Sequence, residues 1–154
     1  ALATDFEVIA DSLAIDTPNE TLKELRAFRN AYVGFKPDSA QGQRDFLTGD
    51  SIVATFVQHA TLTSAAKSTL QTIESRVRAT SFYRLASNKG PKCKPSLTYS
   101  RADKIRLTMQ LGDSLKVREV EMTGNVDGAQ WQPNAEKPDT TIKPDATGAL
   151  PVSC

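Results

Sequence analysis

The chain has little of the chemistry on which most enzymes and metalloproteins depend, with one histidine and two cysteines among 154 residues. It also lacks the nucleophile-elbow, P-loop, paired-histidine and dinucleotide-binding motifs. Two isolated cysteines and a single histidine do not have the spacing of a zinc ligand set, so a metal centre is disfavoured. The sequence therefore predicts no cofactor, no metal and no definable catalytic residue.

Three side chains come closest to acid–base chemistry. His59, in "TFVQHATL", lies on or beside an apolar stripe, where a packed or surface histidine is more common than a general base. Glu119 and Glu121 fall on one face of a predicted strand, which allows paired carboxylate chemistry, although solvated charges at a strand edge explain them better. A small carboxylate-dependent hydrolase remains an alternative, while the main interpretation is a protein that is not an enzyme.

Long hydrophobic runs are also missing, and none approaches the ~20 residues that cross a bilayer. We therefore expect no membrane span in this chain. The opening "ALATDFEVIA" has neither the basic nor the apolar part of a signal peptide, so we expect such a leader to have been removed or never to have existed. The length predicts one domain, residues 1–154, and no internal repeat is visible.

The two cysteines lie in polar stretches near prolines, Cys93 in "KGPKCKPS" and Cys154 at the last position. Free structural thiols usually have apolar surroundings, so two exposed thiols indicate a disulfide. Closing a loop of about 60 residues would contribute roughly 4 kcal/mol. We expect a Cys93–Cys154 disulfide, and with it an extracellular, periplasmic or surface location. Two unpaired cytosolic cysteines are the alternative.

Apolar residues in the first half of the chain recur at helical spacing. A capping box in "TDFE" predicts a short first helix, and "TPNE" predicts a second helix from Pro18 to Val33. The spacing from Leu62 to Val77 predicts a third helix over about residues 63–78, whereas the pattern around Ile52 fits a helix or a strand. Residues 1–79 are thus predicted to be mainly helical.

The period changes to two after residue 80, which predicts antiparallel strands over residues 80–131. The stretch "KIRLTMQL" predicts a strand with Ile105, Leu107, Met109 and Leu111 inward and Arg106, Thr108 and Gln110 outward. A turn is predicted at Gly112 and Asp113, and a shift of apolar phase predicts a β-bulge near Arg118 and Glu119. Further strands are predicted around residues 82–85, 97–99 and 129–131.

The last stretch, residues 132–154, has a proline every few residues and predicts an extended arm. The fold class that follows is α+β: N-terminal helices packed on a C-terminal antiparallel sheet, with an extended Pro-rich C-terminal arm closed by the disulfide. In layout this resembles the globular part of type IV pilins, which also runs from helix to antiparallel sheet to a cysteine-closed segment. The resemblance implies the subunit of a filament, but no residue motif of that family is present.

Charge is distributed unevenly along the chain. Residues 76–106 hold nine basic side chains and one acidic side chain, whereas the segments on either side are net acidic. Such a basic island predicts contact with an anionic partner, and solvated charges scattered over several faces are the alternative. The predicted partner-binding residues are Arg84, Lys89, Lys92, Lys94, Arg101, Lys104 and Arg106.

The function predicted from these features is that of a secreted, periplasmic or surface-exposed module for assembly or binding. Its basic loop region would contact an acidic partner protein or another copy of the chain. A pilus-like filament subunit, a viral coat protein and the small hydrolase are the alternatives. An anionic surface or polymer is a possible partner, while nucleic acid is disfavoured by a sequence pI near 8.0 but is left open.

Overall fold

The computed structural model of the chain describes residues 6–35, 45–61, 64–85, 94–110 and 116–131. These residues form one antiparallel sheet in the order β1-β3-β4-β5-β6-β7, with β2 also pairing with β3 and β8 with β6. The strands are β1 (Phe6–Ile9), β2 (Ser12–Asp16), β3 (Glu24–Phe35), β4 (Phe46–Thr61), β5 (Ser64–Leu85), β6 (Ser96–Gln110), β7 (Lys116–Thr123) and β8 (Asp127–Trp131).

The predicted α+β class is wrong, because the described part of residues 1–79 is strand where helices were expected. The first predicted helix is β1 and β2, the second is mostly β3, and the third lies in β5. In the described ranges, no helix is long and apolar enough to cross a membrane. The layout that resembled a type IV pilin depended on those helices, so the resemblance has no support in the fold.

Bulges explain why strands produced helical spacing. In β3 the buried hydrophobic side chains are those of Leu25, Ala27, Ala31 and Val33, so an interval of four separates two intervals of two. The long interval spans Arg29 and Asn30, which together oppose the single residue Asp50 of β4. Within this interval the position that would otherwise face inward, Arg29, is exposed, and apolar spacings of two and four then imitate the three-and-four pattern of a helix.

The predicted cap of the second helix is instead a single 3-10 turn, Pro18–Glu20. The Thr21 hydroxyl and its backbone N–H both donate to the Pro18 carbonyl, the hydroxyl at 2.7 Å. Asn19 and Glu20 take positive φ values of 54° and 63°, which end any helical path. The residues that predicted a helix start therefore form the turn between β2 and β3.

The strand predictions for the second half of the chain are confirmed where the structure describes it. Ile105, Leu107 and Met109 are buried, whereas Arg106 and Gln110 are exposed and Thr108 is half-buried. The β6–β7 register places Thr108 opposite Glu119 and Met109 opposite Val117, so Arg118 is the bulged residue. Leu111, the turn at Gly112 and Asp113, both cysteines and the arm 132–154 lie outside the described residues.

The sheet folds over on itself. Phe6 pairs with Phe35 at one end of β3, and the backbone N–H of Phe56 bonds to Lys23, just before the other end. A straight strand of this length would separate those ends by roughly 35 Å. The rings of Phe6 and Phe56 nevertheless lie 6.0 Å apart, so β3 bends sharply and the two halves of the sheet face each other.

The bend divides the sheet into two halves, which we call upper and lower. The upper half contains β1, β8 and the parts of β3–β6 that pair with them, residues 31–35, 46–49, 79–85 and 96–102. The lower half contains β2, β7 and residues 24–28, 51–61, 64–76 and 104–110. The buried apolar residues of both halves form one core between the two inner faces.

The same hydrogen-bonding arrangement recurs where the strands bend, and we call each of these places a corner. In three places an aspartate side chain accepts a hydrogen bond from the adjoining segment of the sheet. The donor is the side chain of the second of two successive residues with positive φ. The pairs are Asp11 with Asn30 at 3.2 Å, Asp50 with Arg78 at 2.6 Å, and Asp103 with Asn125 at 3.0 Å. Each aspartate thus ties its own strand to the bent one beside it.

These three corners belong to three hairpin repeats, a feature that was not recognised in the sequence. The first strand of each repeat carries a related segment: "ADSLAID" from Ala10, "GDSIVAT" from Gly49 and "ADKIRLT" from Ala102. Equivalent residues pair at equivalent positions, Leu13 with Ala27, Ile52 with Ser75 and Ile105 with Met122. The described residues therefore form a row of three bent hairpins, β1/β2–β3, β4–β5 and β6–β7/β8.

One corner residue is poorly suited to its conformation. Val77 has φ 60° although it is β-branched, and its side chain is 55% exposed. A left-handed backbone costs an ordinary L-residue roughly 1–2 kcal/mol, whereas asparagine tolerates it. Val77→Asn should therefore raise the free energy of unfolding by about 1 kcal/mol, measured by urea titration.

The matched control is Val126→Asn, because Val126 is also 55% exposed and is not among the residues with positive φ. This variant should leave stability within about 0.5 kcal/mol of the wild-type value. A loss of stability in Val77→Asn, or an equal gain in both variants, would contradict strain at position 77.

Candidate binding face

The outer face of the upper half carries an unusual row of aromatic side chains. Residues directly opposite each other in an antiparallel pair point to the same face. The register Gly34–Phe46–Phe82–Tyr99–Ala129 therefore forms one row across five strands. Tyr32 and Trp131 lie on the same face in the adjoining rows, since they are two residues from Gly34 and Ala129.

The aromatic rings are packed against one another. Tyr32 and Phe46 have ring centroids 6.0 Å apart, and Phe46 and Phe82 have centroids 5.6 Å apart with an interplanar angle of 19°. Gly34 makes this possible, because a Cβ at that position would lie 2.6 Å from the Tyr32 hydroxyl oxygen. The Tyr32 ring thus covers the glycine and extends the row toward β1.

Exposure increases along this row toward β8. Tyr32, Phe46 and Phe82 are half-buried, whereas Tyr99 is 43% exposed and Trp131, the only tryptophan, is 62% exposed. One face of an antiparallel sheet is usually packed and the other polar. Here the inner face forms the core and the outer face also carries a row of aromatic side chains. We call Tyr32, Phe46, Phe82, Tyr99 and Trp131 the aromatic face.

Two ion pairs border the aromatic face. Arg84 Nε lies 2.9 Å from Asp45 Oδ1, with both side chains partly buried, and Arg101 Nη2 lies 2.7 Å from Asp127 Oδ2 in full solvent. Both pairs place arginine beside a carboxylate, so the border carries little net charge. An exposed pair such as Arg101–Asp127 contributes little to stability.

The Arg101–Asp127 ion pair shifts the pKa values of both side chains. The side-chain hydrogen bond from Arg101, assisted by the backbone N–H of Gly128 and by charge attraction, holds the pKa of Asp127 below its usual value. The same hydrogen bond and charge raise the pKa of Arg101. The pKa of the Asp127 carboxyl is lower in the folded state than in the unfolded state. The ion pair therefore stabilises the fold at pH values above the unfolded-state pKa, and this contribution is lost as the pH falls through the folded-state pKa.

The predicted basic residues lie on both halves of the sheet. Arg84 and Arg101 border the aromatic face, and Lys94 is exposed just before β6. Lys104 and Arg106 lie beyond the corner on the outer face of the lower half, opposite Arg76 and Glu74 of β5. Lys89 and Lys92 lie outside the described residues. The fold thus brings Arg84, Arg101 and Lys94 to the upper half and separates them from Lys104 and Arg106.

Strand pairing also neutralises much of the basic segment. Four arginines of residues 76–106 form ion pairs with aspartates or glutamates, and Arg106 lies between Glu74 and Glu121 in the register. The ion pairs are Arg76–Glu74, Arg78–Asp50, Arg84–Asp45 and Arg101–Asp127. A charge excess along the sequence is therefore not an equal excess on the described surface.

The lower half has a shallow groove on its outer face. It has a volume of about 190 Å³ and is lined by Val53, Thr55, Thr72, Glu74, Arg76 and Arg106. Glu74 is its only lining carboxylate, and it is bonded to Arg76. Glu119 and Glu121 lie two strands away from Glu74 on the same face, both exposed. The predicted pair Glu119 and Glu121 thus lies on one exposed face of β7, outside this groove.

The described residues contain no group of three or more His, Cys, Asp or Glu side chains that could hold a metal ion. No protein-family model matches this chain, and no curated protein shows significant similarity to it. The site must therefore be interpreted from its own geometry.

Proposed function

We propose that this protein is a non-enzymatic binding module that docks a partner protein on its aromatic face. The observation that carries this proposal is the exposed end of that face, where Tyr99 of β6 and Trp131 of β8 lie in adjoining rows on the outside of a sheet that already has a core. Contiguous exposed apolar surface on a soluble protein usually marks an interaction site. Tyrosine and tryptophan are also the residues that most often dominate protein interfaces.

Charge indicates the kind of partner. Lys94 is exposed at the end of the sheet from which the β5–β6 loop emerges, and that loop also carries Lys89 and Lys92. Leu97, three residues later, pairs with Trp131, so the basic loop starts close to the exposed end of the aromatic face. A partner with an apolar centre and neighbouring carboxylates would match both features. This surface includes the predicted basic residues that lie in the upper half of the sheet, Arg84, Lys94 and Arg101.

The proposed location is extracellular, periplasmic or on a surface, in keeping with the proposed Cys93–Cys154 disulfide. Such a bond would join the β5–β6 loop to the segment that follows Trp131. Because β6 pairs with β8, the two chain segments that carry the cysteines leave the sheet from neighbouring strands.

Labelled peptides with an apolar centre and acidic, neutral or basic flanks provide a direct test by fluorescence anisotropy. We expect the acidic peptides to bind best. The double variant Tyr99→Ser, Trp131→Ser should weaken that binding by at least about 30-fold, because aromatic residues at the centre of an interface often contribute 2 kcal/mol or more. Lys94→Glu should remove the preference for acidic flanks without abolishing binding.

Phe28→Ser is the matched control, since Phe28 is a similarly exposed aromatic residue on the outer face of the lower half. Its peptide binding should equal that of the wild type. Binding that is insensitive to loss of Tyr99 and Trp131, or equally sensitive to loss of Phe28, would refute the aromatic face as the docking site.

A further inference from the structure

The repeat architecture leaves two free edges of different kinds. Within the chain, the second strand of one hairpin always pairs with the first strand of the next, as in β3–β4 and β5–β6. The outermost strands of the lower half are β2, which belongs to the first strand of its hairpin, and β7, which belongs to the second strand of its hairpin. In the described sheet β2 pairs only with β3, and β7 pairs only with β6, so each of these two strands has a second edge that is not paired there. In the other repeats, the strands equivalent to β2 and β7 use that second edge to pair with the neighbouring hairpin.

The exposure of the β2 side chains also indicates that this edge lacks a neighbouring strand. Leu13 and Ile15 are 38% and 53% exposed, although they point to the inner face beside buried Ala27 and Leu25. Their equivalents in the other two repeats, Ile52 with Ala54 and Ile105 with Leu107, are all buried. All five side chains of β2 are exposed, and the strand contains neither lysine nor proline, the residues that commonly block edge pairing.

Strand β7 provides the complementary edge. Transferring the β3–β4 and β5–β6 register to β7 and the β2 of a second copy places Val120 opposite Ile15, and Met122 opposite Leu13. These are apolar pairs on the inner face. On the outer face the same register places Thr123 opposite Ser12, Glu121 opposite Ala14 and Glu119 opposite Asp16.

We propose that β7 of one copy pairs antiparallel with β2 of the next, so that copies continue the row of hairpins from chain to chain. The contact is head-to-tail, and repeated contacts of this type give a closed ring or an open filament. It uses the lower half and is independent of the aromatic face. The single unfavourable pair in the register, Glu119 opposite Asp16, keeps the association weak near neutral pH.

That pair provides a test specific to the register, with sedimentation velocity of the full-length chain as the readout. Glu119→Lys and Asp16→Lys should each replace repulsion by attraction and strengthen association by about tenfold. The double variant places two lysines opposite each other and should return to weak association. Species larger than dimers should form with either single variant, because a head-to-tail contact does not close after two copies.

Two further variants separate the edge from the rest of the surface. Ile15→Lys in the Glu119→Lys background should abolish association, because it places a charge on the inner row of the pairing edge. Phe28→Lys in the same background is the matched control and should leave association unchanged, since Phe28 is exposed on the outer face of β3, a strand that already pairs on both sides with β2 and β4 and has no free edge there.

Other outcomes overturn the proposal. Association that responds to Asp16→Lys but not to Glu119→Lys, and stops at dimers, would show β2 pairing with the β2 of another copy. No rise in mass with either single charge reversal would show that these edges do not pair. Neither result would affect peptide binding by the aromatic face, which the Tyr99 and Trp131 variants test separately.

Discussion

Leu107→Ala should lower the free energy of unfolding by about 2–5 kcal/mol, because it removes a buried side chain from the centre of the core. Leu107 lies on the inner face of β6, between Ile73 of β5 and Val120 of β7. It is only 4% exposed, so the truncation leaves a cavity that the surrounding strands cannot easily fill. Urea unfolding followed by circular dichroism measures the change.

The control for this substitution is the neighbouring residue. Arg106→Ala changes the outer face of the same strand, where Arg106 is exposed, and should alter stability by no more than about 0.5 kcal/mol. An effect of Leu107→Ala below about 0.5 kcal/mol would mean that the strand is misplaced or shifted by one residue.

Gly49→Ala should cost about 2–3 kcal/mol, although it adds only one methyl group. A Cβ at position 49 would lie well within 3.0 Å of the Ser75 hydroxyl oxygen and 3.1 Å from the Arg76 carbonyl oxygen. Ser75 is fully buried and donates a 2.7 Å hydrogen bond to the Thr48 carbonyl. The added carbon must displace that hydroxyl or the backbone beside it, and either movement is costly in a packed core.

A double-mutant cycle isolates the cause. Ser75→Ala alone should destabilise by about 1 kcal/mol, because the Thr48 carbonyl loses its partner. In the Gly49→Ala background the same change removes the atom that clashes, so it should restore part of the lost stability. If the two losses simply add, the clash with Ser75 is not the reason that position 49 is glycine.

The sequence allowed the second half of the fold to be predicted better than the first. In "KIRLTMQL" no bulge interrupts the alternation, so the inward positions of Ile105, Leu107 and Met109 could be predicted correctly. In β3 and β5 the corner exposes a position that would otherwise face inward, Arg29 or Val77, and the resulting apolar intervals of two and four hid the strands behind a helical spacing. The cap-like residues at Thr17–Glu20 added to the error, because caps and turns use the same side chains.

The hairpin repeat was missed for a different reason. Its segments share an aspartate after a small residue and a few apolar positions, and the spacing between them varies. Alignment becomes clear only when strand register shows that Asp11, Asp50 and Asp103 occupy equivalent corners. Such aspartates were visible in the sequence, but a side-chain pattern cannot reveal which strand each one faces.

The candidate site was predicted only in part. The basic residues were identified from the sequence, but the carboxylates that neutralise several of them come from other strands, as Asp45 does for Arg84 and Asp127 for Arg101. The aromatic face is also assembled from distant positions, since Tyr32 and Trp131 are almost a hundred residues apart. Neither arrangement leaves a local pattern, because both depend on the register of the sheet.

The order of the sheet has a consequence for the kinetics of folding. Each strand pairs with a strand that is adjacent or nearly adjacent along the chain, so contacts form between segments of modest sequence separation. Chains with low contact order pay less loop-closure entropy before their contacts form, and they fold faster than β-proteins with long-range pairing. We expect the central β4–β5 hairpin to be the best-placed folding nucleus, because β3 and β6 can then pair with its two edges.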